Sequence, residues 1–218
     1  MGMTQAPLPG AEAALIGLAG FGLLLLGAGW RIVRHLTVMA HEGAHALVAA
    51  LLLLRDFDGI ELDAKAGGGT YVPTNGLGGV FIHLAGYVGP SIFGLGAAKL
   101  IVLGYSATVL WIVFFLLAFL LVGLRRSFGL ITVILTGALV FGLVRFTPMG
   151  VQVTAAYAIT WLLLLSAVRR ILEIGAGSDD GAKLRGKTGI PRLIWFLFWL
   201  AATLAAVAVG GRMLILQA

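Results

Sequence analysis

Residues 37 to 54, TVMAHEGAHALVAALLLL, read as a plain apolar helix except for His41, Glu42 and His45. Each ionisable group at a bilayer centre costs about 2.5–3.5 kcal/mol even on the lenient insertion scale, so three of them together call for a compensating partner. On a helix His41 and His45 stand at i and i+4, on one face with Cβ atoms about 5–6 Å apart, and both rings reach one ion. Tetrahedral zinc takes ligand nitrogens at about 2.0–2.1 Å, and a catalytic site supplies three protein ligands and leaves the fourth position to water. Glu42, next to the first histidine, is placed to take a proton from that water rather than to bind the ion.

This is the His-Glu-x-x-His pattern of zinc metallopeptidases, and from the chain's own content of His and Glu it arises by chance about once in a thousand such sequences. The third ligand has several candidates. Asp179 and Asp180, in AGSDDGA ahead of the last apolar run, are the best-placed carboxylates. Asp63 lies in ELDAKAGG among Asp56, Asp58 and Glu61, where an exposed turn residue is the simpler reading. His83, in FIHLAG, offers an imidazole or a supporting hydrogen bond, although a lone intramembrane histidine is more often a packed polar group with one partner. His35 beside Arg34 belongs at an interface, and Glu173 is at helical spacing to pair with Arg169 or Arg170.

The elements that must hold these residues are membrane helices. The chain is 60% hydrophobic and only 11% charged, with a mean hydropathy of +1.05, which excludes a soluble globular protein. Apolar runs at Ala13–Trp30, Leu36–Leu54, Leu77–Gly104, Val109–Leu124, Phe128–Val144, Val151–Val168 and Leu193–Leu216 each come near the roughly 18–20 residues that cross the hydrocarbon core. The expected fold is therefore an all-α polytopic membrane protein of about six to seven transmembrane helices, a single domain over residues 1–218. In the third run Gly89-Pro90 predicts a bent span or two re-entrant pieces.

Two inserts read as non-helical. Residues 55–75, alternating polar and apolar around Gly67-Gly68-Gly69, predict a short β-hairpin. Residues 169–190 predict a polar loop leading into the last span.

The net charge of +6 sits between the apolar runs, where topology and anionic lipid account for it, so nucleic acid is not an expected partner. With the N-terminus inside, ten Lys and Arg fall on the cytoplasmic side and five outside, which predicts a multi-pass cell-membrane protein with a cytoplasmic N-terminus. The first run lacks a basic leader and reads as a retained span; Ala6 removes the myristoylation pattern. With no cysteine, a metal site must use His and carboxylate.

The chain resembles the site-2 protease family of intramembrane zinc metalloproteases, in its compact bacterial branch. The resemblance rests on HEGAH at 41–45, GGGTYVP at 67–73, LAGYVGPSIFGLGAA at 84–98 and SDDGAKLRGKTGIPRLIW at 178–195. It implies hydrolysis of a peptide bond within or near a transmembrane segment of a membrane-protein substrate. It also implies Zn2+ as cofactor, His41 and His45 as ligands, Glu42 as general base and Asp179 as third ligand, by analogy with a Ser-Asp pair. The Asn-Pro…Leu-Asp-Gly motif of other members is absent. Two readings from other classes stay open on the residues alone: a transporter or ion-conducting protein with a midplane His/Glu site, and a zinc-bound scaffold that does not cleave.

Overall fold

The structure, a computed structural model, describes residues 4–52, 59–63, 65, 67–71, 76–125 and 127–217. Along the chain run α1 (Gly10–Leu25), α2 (Gly27–Leu51), β1 (Gly59–Leu62), β2 (Gly68–Tyr71), α3 (Gly76–Val102), α4 (Ser106–Gly123), α5 (Ser127–Phe146) and α6 (Met149–Ile174). After a 3-10 turn at Gly175–Gly177 come α7 (Asp179–Thr188) and α8 (Arg192–Leu216). Five of the seven predicted apolar runs fall on α3, α4, α5, α6 and α8; the first, Ala13–Trp30, is split at Leu26 between α1 and α2, and the described part of the second lies in α2 and its C-cap Leu52. Large side chains such as Phe115, Val122, Leu135 and Leu197 point outward, as befits helices solvated by lipid.

The count of spans meets the expectation of six to seven at its lower end. Among the described residues five helices are long and apolar enough to cross a membrane, or six if α1 and α2, bent by 104° at their junction, form one broken span. The bend has a local cause. Leu26 leaves the helical region at φ −75°, ψ 128°, and Gly29 lets the next helix start tightly against the carbonyl of Leu23. With 16 residues, α1 is about 24 Å long, too short to cross alone.

Pro90 lies inside α3, which continues through it from Gly76 to Val102 and is neither broken nor re-entrant. Proline cannot donate to the carbonyl four residues earlier, and in a membrane helix neighbouring helices absorb that loss. Here Gly89 packs on Ala44 of α2 so closely that a Cβ would collide with it. At the bundle centre Leu164 of α6, fully buried, fits against Gly94 of α3 and Gly210 of α8. Small residues set the helix spacing, as membrane packing requires when apolar burial provides no drive.

The predicted hairpin is present, with β1 and β2 antiparallel and Ile60 opposite Thr70; residues 55–58, 64, 66 and 72–75 of the insert lie outside the described residues. Its turn is tied by Asp63, whose Oδ1 accepts from the backbone N–H of Lys65 at 2.7 Å and of Gly67 at 2.9 Å. The Gly67 hydrogen bond, ahead of burial, which acts the other way, holds the Asp63 carboxyl below its ordinary pKa. Ile60 bridges Leu124 and accepts from the N–H of Arg125, so one edge of β1 is taken. Among the described residues no strand pairs with the outer edge of β2.

Residues 169–190 are mostly helical rather than a loop: α6 runs to Ile174, the 3-10 turn follows, and the short helix α7 covers Asp179–Thr188. Glu173 pairs with Arg170 at 2.9 Å, as helical spacing predicts, and also with Arg34 at 3.0 Å. Arg34 in turn donates to the carbonyl of Lys65, linking α2, α6 and the hairpin turn.

Candidate metal centre

Three helices build the site. On α2, His41 and His45 turn their rings together, with Nε2 atoms 3.0 Å apart. The Nδ1 of His45 lies 2.6 Å from the carbonyl oxygen of Ile82 on α3. A carbonyl only accepts, so that nitrogen carries a proton, and a neutral ring so held would turn an Nε2 lone pair into the site. Gly86, one turn along α3, makes room for this arrangement, since a Cβ there would overlap both imidazoles.

The carboxylate that meets them comes from α7. Oδ2 of Asp180 lies 3.1 Å from His41 Nε2 and 3.3 Å from His45 Nε2, while Oδ1 lies 3.0 Å from Nδ1 of His83. Asp180, His45 and His83 are all buried.

Sequence reasoning places Asp179 as third ligand; the structure brings Asp180 to the histidines and leaves Asp179 exposed, outside that group. The reason is helix register. Ser178 caps α7, its hydroxyl accepting from the N–H of Gly181 at 3.1 Å, so Asp179 and Asp180 are the first two helical residues and point about 100° apart. Leu184, the one large apolar residue of α7, is fully buried against Tyr87, Ile171 and Trp199. Asp180 is one turn before Leu184 and shares its inward face. That spacing was the signal available in the sequence. Asp63 closes the hairpin turn instead, and His83 supplies neither a third nitrogen nor an isolated polar patch but a contact to the carboxylate.

Glu42 is buried beside the histidines. Its Oε2 accepts a 2.6 Å hydrogen bond from the hydroxyl of Thr70 on β2, and Gly68 passes so close to Oε1 that a Cβ would lie 2.7 Å from it. The hairpin thus lies directly on the glutamate, a contact that sequence reasoning missed. A cavity of about 420 Å³, reached by α2, β2, α3, α6 and α7, adjoins all of these groups.

The donor set fits zinc. Two imidazole nitrogens and a carboxylate oxygen stand 3.0–3.3 Å apart in every pairing, and tetrahedral bonds of 2.0–2.2 Å place ligand atoms about 3.3–3.5 Å apart. Lone pairs from three groups facing one another at this distance, in a buried site, are electrostatically reasonable only around a cation or a shared proton.

A family model described as Peptidase M50B-like matches residues 14–210, a stretch that contains every residue of this site. No curated protein and no solved structure matches the chain.

Proposed function

The chain belongs to the Peptidase M50B-like family of intramembrane metalloproteases, and from that premise we propose that it hydrolyses a peptide bond within or near a transmembrane segment of a membrane-protein substrate. The ligands in this reading are His41, His45 and Asp180, and Glu42 is the general base. The observation that carries it is the convergence of two Nε2 atoms and one carboxylate oxygen beside a buried glutamate in a multi-pass membrane protein.

Bound zinc supplies a Lewis acid that lowers the pKa of water towards about 7 and polarises a carbonyl oxygen. Glu42 takes the proton of the attacking water on its carboxylate. As the new C–O bond forms and the C–N bond breaks, it hands that proton to the departing amine. The Thr70 hydroxyl occupies Oε2, which orients the carboxylate and leaves Oε1 for the proton; Gly68 keeps the space beside Oε1 clear.

A helical substrate hides its carbonyls in its own hydrogen bonds and must be extended before attack. The unpaired outer edge of β2 borders the catalytic cavity and is suited to take such a segment as an added strand. Synthetic substrate peptides N-methylated at successive backbone positions test this. Strand addition predicts cleavage lost at alternate positions, because successive N–H groups point to opposite edges; equal tolerance at all positions would refute it.

The reading as a whole is tested on protein purified in detergent without chelators. Wild type should hold about one zinc per chain and cleave a transmembrane peptide, and Glu42→Gln should keep the zinc while losing roughly 10²–10⁴-fold in turnover. Zinc uptake with unchanged turnover in Glu42→Gln would refute Glu42 as base, and no turnover in zinc-loaded wild type would favour a scaffold.

A further inference from the structure

The third ligand is the least anchored part of the site. His41 and His45 stand on the long helix α2, whereas Asp180 reaches them from the second residue of a ten-residue helix. Only Oδ2 of its carboxylate faces the two histidines. A carboxylate free to turn about its last bond would present either oxygen, or both, so something must fix the other one.

His83 is in place to do so. Its Nδ1 lies 3.0 Å from Asp180 Oδ1, and the residue is only 3% exposed. An ionised carboxylate accepts and never donates, so the proton is on Nδ1 of His83. The other ring nitrogen, Nε2, is buried with no hydrogen-bond partner among the described residues. Burying an unpaired polar atom is costly, because it gives up its hydrogen bond to water and gains none. A residue chosen for packing alone would avoid that cost at this apolar position. The neighbouring residue Ile82 orients His45 through its carbonyl, so two successive residues of α3 fix one ligand from each of α2 and α7.

We infer that His83 is a positioning residue which, through Nδ1–H···Oδ1, holds Asp180 with Oδ2 alone turned to the metal. The inference rests on the zinc reading of His41, His45 and Asp180. Partners of this kind to metal ligands typically contribute 10–100-fold in metal affinity.

The test is zinc affinity by chelator competition on the full-length protein in detergent, for wild type, His83→Leu and His83→Asn, each also in an Asp180→Ala background. Leucine fills similar space without a donor; asparagine places its side-chain N–H where Nδ1 stood. His83→Leu should weaken zinc binding about 10–100-fold, His83→Asn should stay near wild type, and in Asp180→Ala neither change should weaken it further. Wild-type affinity in His83→Leu, equal weakening by asparagine, or full additivity with Asp180→Ala would each overturn the inference.

Should His83→Leu fail to fold, the 15N shifts of the His83 ring in metal-free protein decide. The Nδ1–H tautomer in wild type, lost in Asp180→Ala, supports the pairing; one tautomer in both overturns it. Wild type that takes up no zinc would instead overturn the metalloprotease reading, a result separate from any difference among the His83 variants.

Discussion

Adjacent carboxylates make the sharpest comparison. In Asp180→Ala the site loses one of its three donors, the oxygen 3.1 and 3.3 Å from the two imidazoles. Removing a group that merely supports a ligand costs 10–100-fold in affinity, so removing the ligand itself should cost at least about 100-fold, or about 2.7 kcal/mol at 25 °C. Asp179 is exposed and stands outside the ligand group. Its negative charge in the first turn of α7 favours the helix by about 0.3–1 kcal/mol, and the Ser178 cap survives its loss. Asp179→Ala should therefore weaken zinc binding no more than about fivefold, a ratio that corresponds to 1 kcal/mol. Chelator competition measures both, with cleavage of a transmembrane peptide as second readout. Zinc lost in Asp179→Ala and kept in Asp180→Ala would refute the register of α7 and the ligand set with it.

Other contacts give further expectations. Thr70→Val removes a hydrogen bond to a charged acceptor worth about 1.5–3 kcal/mol, so turnover should fall roughly tenfold or more while zinc content is unchanged; a loss of zinc would mean that the hairpin supports the ligands instead. Gly86→Ala forces a methyl group into both histidine rings and should cost about 1–3 kcal/mol in thermal unfolding, with zinc affinity reduced; wild-type behaviour would refute the close approach of α3 to α2. The depressed carboxyl of Asp63 stabilises the hairpin turn above its unfolded pKa, near 3.9, and this contribution is lost as pH falls through the lower folded value. At neutral pH Asp63→Asn should accordingly speed hydrogen exchange at the Gly67 amide; unchanged exchange would show that the turn does not depend on the charge.

Much of the fold was legible because membrane helices are long and uniformly apolar, and the hairpin because glycines and alternation interrupt that uniformity. What escaped depended on single residues. The bend at Leu26 has no proline or charge to mark it; both flanks are apolar, and only backbone angles and the tight fit of Gly29 produce it. Pro90 left a bent span and two re-entrant pieces both open, and the continuous α3 excludes the second. A proline ends a helix where water can solvate the freed carbonyl, whereas in a bundle in lipid the neighbouring helices absorb that loss. The polar stretch 175–189 hid a ten-residue helix because its mean composition is that of a solvated loop. Its N-cap serine, acidic first turn and basic last turn were helix signals on a segment with only one apolar anchor.

That single anchor decides the chemistry. A helix docked by Leu184 against Tyr87 and Trp199 presents the residue four positions earlier to the same interior, and this is Asp180. Analogy of sequence chose the aspartate that directly follows the serine, and so chose by position in a motif rather than by face of a helix. The buried face also explains why His83 was hard to assign. Viewed from α3 alone it is a histidine among apolar residues, and its partner is 97 residues away on an element that sequence reasoning did not recognise as a helix. Moving Leu184 to position 183 by the double change Lys183→Leu, Leu184→Lys should therefore rotate the inward face of α7 by about 100° towards Asp179, and zinc binding should fail with both aspartates intact. Retention of full zinc affinity would mean that His83, rather than the packing of α7, selects the ligand.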